Sequence, residues 1–137
     1  MSSFKIFDIA GSGMNAQNLR MNVVASNLAN VDAVSSSVGA TYRARQPVFK
    51  AVLDQANAAS PAVGVQMAGV VESQAPLVRE YSPHHARADQ DGYIYRPNVN
   101  VVEEMANMIS ASRAYQNNVE VVNATRRMLS ATINLGR

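Results

Sequence analysis

Two long stretches, one near each end of the chain, carry apolar residues with a helical period. From Asn98 to Arg137, a period of three and four places Val101, Met105, Met108, Tyr115, Val119, Val122, Leu129 and Ile133 on one stripe, interrupted by Ser112 and Arg126. This spacing predicts a helix. Its start is marked by Asn100 with Glu103 three residues later, a capping-box arrangement, and Glu103 and Glu104 place negative charge where the helix dipole favours it. Arg126, Arg127 and Gly136 suit its far end. A helix from Val101 to Leu135 would be roughly 50 Å long, more than a compact globule of this size needs, so it calls for a partner helix.

The other end of the chain supplies one. Between Phe4 and Val31, Phe7, Met14, Met21 and Leu28 recur every seven residues, and Ala10, Gln17, Val24 and Val31 follow three after each. Gly11 and Gly13 lower helix propensity by about 1 kcal/mol each relative to Ala, so fraying or late ordering is expected there. The remaining faces are polar but almost uncharged. Arg20 is the one charged residue between Ile9 and Val31, among Asn15, Gln17, Asn18, Asn22, Ser26, Asn27 and Asn30; from Ala106 to Thr125 only Arg113 and Glu120 are charged, beside Asn107, Gln116, Asn117, Asn118 and Asn123. A solvated helix face is ordinarily rich in Glu, Lys and Arg, whereas amides are buried at far lower cost than charges. Both helices are therefore expected to pack against more neighbours than each other. Met14, Met21, Met105, Met108 and Met128 suit an adaptable packing surface, although methionine in such a stripe is more often plain core.

Between the stripes the pattern changes. Ser35-Ser36-Ser37 with Gly39 reads as a polar connector, and Tyr42 to Phe49, with Pro47 inside it, as extended or turn-like. Val48 to Ala59 is either a strand followed by a loop or a short helix opened by Pro47. Val63–Met67, Val70–Glu72, Leu77–Tyr81 and Tyr93–Tyr95 are short runs separated by Gly and Pro, and read as strands. The expected fold is mainly α with a small β insert: an N-terminal helix within 1–31, connector and insert over 32–97, and a C-terminal helix within 98–137. The two helices pair as a coiled-coil-like hairpin and form one assembly unit.

Composition narrows the function. The 137 residues carry a net charge of +2, with basic residues scattered, so no footprint for nucleic acid or an anionic membrane stands out. Cysteine is absent, which excludes disulfides and thiolate chemistry. No apolar run approaches the roughly 20 residues that span a bilayer, and Met1 to Asp8 lacks the apolar core of a secretory signal. His84 and His85 are adjacent in a turn and do not present both rings to one metal as an i,i+4 pair does. Asp89-Gln90-Asp91-Gly92 resembles a fragment of a calcium loop, but Asn98 stands where the bidentate Glu belongs. Gly11-Ser12-Gly13 has neither a third glycine nor a preceding strand, and no nucleophile elbow marks a triad. No catalytic, cofactor-binding or metal-binding residue is expected.

The residues do resemble a family. Gly13-Met14-Asn15-Ala16-Gln17, leading to Ala25-Ser26-Asn27-Leu28-Ala29-Asn30, is similar to the rod and hook signature of the axial proteins of the bacterial flagellum. Tyr42-Arg43-Ala44-Arg45 with Val48-Phe49, Gly69-Val70-Val71-Glu72, Tyr81-Ser82-Pro83-His84 and Asp91-Gly92-Tyr93 look like the features of its proximal-rod, FlgC type. The run from Pro97-Asn98-Val99-Asn100 through Glu104-Met105 to Arg113-Ala114-Tyr115-Gln116 is the most specific, and the resemblance covers nearly the whole chain. Ala33, where the family usually has Thr, and His85-Ala86, where it has a His-Pro turn, are departures in loops.

The resemblance implies a structural subunit of the proximal rod, whose terminal helices stack with neighbouring subunits into a tubular shaft that transmits torque around a central export channel. It implies motif roles for Asn27, Asn30, Pro97, Asn98, Asn100, Glu104 and Arg113, and assembly roles for the stripe residues. Implied partners are copies of the chain, proximal and distal rod proteins, a membrane-ring adaptor and the flagellar type III export apparatus, with export lacking signal cleavage. The termini are expected to order on assembly. Two rival readings are a soluble helical-hairpin adaptor or export chaperone, and a metal enzyme built on His84 and His85; neither explains the charge-poor faces.

Overall fold

The computed structural model describes residues 3–53 and 63–136. It is mainly helical with a small β part: α1 (Ser3–Ala29), β1 (Arg45–Leu53), β2 (Val63–Glu72), β3 (Val78–Tyr81), β4 (Tyr93–Arg96) and α2 (Val101–Leu135). β1 and β2 form one antiparallel pair, β3 and β4 another.

The ends of both helices follow from local chemistry. Asn100 has extended backbone, and its Oδ1 accepts from the backbone N–H of Val102 (3.1 Å) and Glu103 (3.4 Å), satisfying two of the donors a helix start leaves free. At the end of α1, the Asn30 amide donates to the Ser26 carbonyl at 2.8 Å, and the chain turns away through 30–32. Gly11 and Gly13 lie within the continuous helix α1. At Gly13 a Cβ would lie 2.9 Å from Nδ2 of Asn118, so the missing side chain permits a close approach of α2.

α1 and α2 touch along much of their lengths, and they run antiparallel: Gly13 faces Asn118, while Arg20 donates to Oδ1 of Asn107 at 3.0 Å. The buried apolar residues are mostly small, namely Ala10, Ala16, Val24, Ala44, Ile94 and Ala111. On α2 the buried positions are Glu104, Ala111 and Thr125, with half-buried Asn118 continuing their seven-residue spacing. Beside them, Met108, Tyr115, Val119, Val122 and Leu129 are half-buried. Three residues of the apolar stripe read from the sequence, Val101, Met105 and Ile133, are exposed in the single chain. Small and polar side chains hold the line nearest α1, and a search for apolar periodicity passes over them.

The insert also departs from the expected boundaries. Val48 onward continues as β1 to Leu53, so the helical alternative is excluded there; 54–59 lie outside the described residues. The runs around Met67 and Val70 belong to one strand, since Val48 pairs with Gly69 and Phe49 with Met67, leaving Ala68 as the extra residue of a bulge. Ser12 fastens this sheet to α1: its hydroxyl donates to the Ile9 carbonyl at 2.8 Å and accepts from the Val65 N–H at 3.1 Å. In the second sheet Arg79 stacks 3.6 Å from the centroid of Tyr93, and Ser35 extends β4 by a bridge to Tyr95. Asp89 Oδ1 accepts from the N–H groups of Asp91 and Tyr93, and Gly92 takes a φ of 80°, so this acidic stretch is a side-chain-capped turn.

Candidate assembly surface

Four amides occupy the junction between helices and insert. Asn27 is fully buried; its Nδ2 donates to the Arg45 carbonyl at 2.8 Å, while its Oδ1 accepts from the Arg45 N–H at 2.9 Å and from the Tyr42 hydroxyl at 2.9 Å. The side chain thus meets the Arg45 peptide groups as a neighbouring strand would. One residue earlier, Asn98 Oδ1 accepts from the Ala44 N–H at 2.8 Å, and its Nδ2 donates to the Ala75 carbonyl at 2.9 Å. Ala44 and Arg45, where the chain enters β1, are therefore clasped between an amide just before α2 and one from the end of α1. Asn30 and Asn100 cap those same two helices, and Pro97 is buried beside Asn98.

This geometry revises what the amides mean. Asn27, Asn30, Asn98, Asn100 and Asn107 satisfy groups of their own chain. The outward amides are Asn15, Asn18, Asn22, Gln116, Asn117 and Asn123. Glu104 is buried, and its Oε2, like Oε1 of Gln17, has no hydrogen-bond partner among the described residues. Arg113 is exposed.

Large apolar side chains are exposed where a monomer gains nothing from them. On α2, Val102 is 77% exposed and Met105 and Ile109 lie in contiguous turns with it; further along, Met128, Ile133 and Leu135 are 61%, 67% and 88% exposed. Every residue from Ser130 to Gly136 is exposed. On α1, Phe7, Met14, Met21 and Leu28 are half-buried and Val24 is buried, and Val31, in the turn after it, is half-buried. His84 and His85 lie exposed in a loop where His85 Nδ1 accepts from the Arg87 N–H, and no group of three or more metal-ligating side chains occurs among the described residues. No described helix is long and apolar enough to cross a membrane.

Residues 7–35 match the family described as flagella basal body rod protein, and residues 90–135 match the flagellar basal body rod FlgEFG protein C-terminal family. Over its whole length the chain is 51% identical, across 139 residues and 100% of both chains, to flagellar basal-body rod protein FlgC of Escherichia coli O6:H1. The chain belongs to the FlgC-type flagellar basal-body rod proteins. It is 48% identical over 137 residues, again 100% of both chains, to the FlgC of Salmonella typhimurium, and 33% identical over 147 residues and 97% of both chains to that of Borreliella burgdorferi. The FlgC-type rod proteins are structural rather than catalytic, and this chain is a structural protein of the basal-body rod. The two family matches contain Asn27 and Asn98, the two halves of the clasp. The resemblance singles out both residues and the Tyr42–Arg45 segment, but no sequence signal pairs Asn27 with Arg45 or Asn98 with Ala44.

Proposed function

We propose that this chain is a subunit of the proximal part of the rod, which builds a tubular, torque-bearing shaft around the export channel by stacking its two helices against those of neighbouring subunits. The observation that carries this reading is the exposure of Val102, Met105, Ile109, Met128, Ile133 and Leu135 on one helix. Covering a large aliphatic side chain is worth about 1.5–3 kcal/mol, so a row of them is a strong reason to associate. The helices pair in coiled-coil fashion, and with the connector they divide the chain into an assembly unit (1–31 and 98–137) and an outer insert (32–97).

On this reading, Phe7, Met14, Met21, Val24, Leu28, Val31, Met108, Tyr115, Val119, Val122 and Leu129 hold the helix pair, and Val101, Met105 and Ile133 face neighbouring subunits. Those neighbours are further copies, other proximal and distal rod proteins and the membrane-ring adaptor. The subunit spans part of the periplasm after passage through the flagellar type III apparatus. Mass spectrometry of detergent-purified basal bodies and of the soluble fraction, from cells with and without that apparatus, tests the proposal. Presence in basal bodies and cytoplasmic retention without export are expected; a chain found only in the soluble fraction of motile cells would sink it in favour of an adaptor or chaperone.

A further inference from the structure

Glu104 is the buried carboxylate of the described residues, and the helix pair leaves it unsatisfied: the residue is 7% exposed, and its Oε2 has no hydrogen-bond partner among them. Such an oxygen is costly where it stands, because it has lost water and gained no donor in return. Glu104 lines a cavity of about 360 Å³ where α1, β1 and α2 meet, whose walls include Arg20, Val24, Arg45, Phe49 and Asn107. Two guanidiniums therefore share the cavity with it. Arg45 is committed elsewhere, to Glu72 at 3.3 Å and to the face of Tyr42 at 5.3 Å. Arg20 is half-buried and makes no ion pair among the described residues; its Nη2 donates to Oδ1 of Asn107 at 3.0 Å, a neutral acceptor that orients the guanidinium without cancelling its charge.

We propose that Arg20 has two stations on α2, Asn107 while the cavity is wet and Glu104 once the cavity is dehydrated. Glu104 and Asn107 are three residues apart on α2, so their Cβ atoms lie about 5–6 Å from each other. That separation is within the swing of an arginine side chain anchored on the facing helix. In a wet cavity a guanidinium–carboxylate pair gains little, because both charges must give up water to meet, whereas the Asn107 amide holds the guanidinium without stripping it. Excluding water reverses the balance: the dehydration has then already happened, and opposite charges attract far more strongly at low dielectric. Arg20 thus lets the helix seam be dried without stranding a buried charge. The exchange is intramolecular and needs no particular neighbour.

Asn107→Leu in the full-length chain tests the exchange, because it removes the amide station and gives the cavity an apolar wall. The readout is the coupling between Arg20→Met, which keeps the aliphatic stem, and Glu104→Gln in a double-mutant cycle of urea unfolding. In the parent background the two substitutions are expected to act independently, to within about twofold in the unfolding equilibrium constant. In the Asn107→Leu background their coupling is expected to reach about tenfold. Circular dichroism checks that each variant folds. Should one member of the cycle fail to fold, the side-chain N–H resonances of Arg20 give a second reading: Asn107→Leu is expected to shift them, and adding Glu104→Gln to abolish that shift. Tenfold coupling already in the parent would place Arg20 on Glu104 throughout, and independence in both backgrounds, or an Arg20 shift that Glu104→Gln leaves untouched, would show that it does not move there; each of these results would overturn the proposal.

Discussion

Asn27 shows how one side chain replaces a missing strand. β1 begins at Arg45 with its peptide groups turned toward α1, and a buried amide both accepts from and donates to them. Asn27→Ala would leave Arg45 N–H, Arg45 C=O and the Tyr42 hydroxyl without this partner, and is expected to cost about 3 kcal/mol of stability. Tyr42→Phe removes only one of those bonds and is expected to cost about 1 kcal/mol. Urea denaturation of the two variants beside the parent checks both the magnitudes and their order.

At the scale of elements, the glycines of α1 separate two effects that sequence alone merges. Gly11 has nothing within 4 Å of where a Cβ would sit, so Gly11→Ala is expected to stabilise the chain by about 1 kcal/mol through helix propensity. Gly13→Ala should gain less, because Asn118 must shift from 2.9 Å; combining it with Asn118→Ala should recover the difference, which a double-mutant thermal-denaturation cycle measures. Asn100→Ala should cost about 1 kcal/mol by removing the cap of α2. The extent of α2 was legible because Asn100, the acidic first turn and the periodicity all agree. The face it turns to α1 was not, because Glu104, Ala111, Asn118 and Thr125 obey a geometric period without an apolar one. The insert was legible as short strands but not in its pairing, which depends on the Ala68 bulge and on contacts from Asn27 and Asn98 far away in sequence.

For the molecule as a whole, a chain with few fully buried apolar residues among those described and a long helix that stays wet at its end is organised for company. Half-burial of Met14, Met21, Met108 and Leu129 leaves each with area still to cover, and exposed amides on the same helices can be dehydrated without stranding a charge. Among the motif residues, Asn27, Asn30, Asn98 and Asn100 turn out to be the caps and the clasp. The most direct measurement is incorporation of an Ile133→Asp, Leu135→Asp double variant into basal bodies, quantified by mass spectrometry beside the parent chain, with circular dichroism of both purified proteins. The account predicts unchanged helicity and loss of the variant from basal bodies together with motility; a variant incorporated at the parental level, in motile cells, would contradict it.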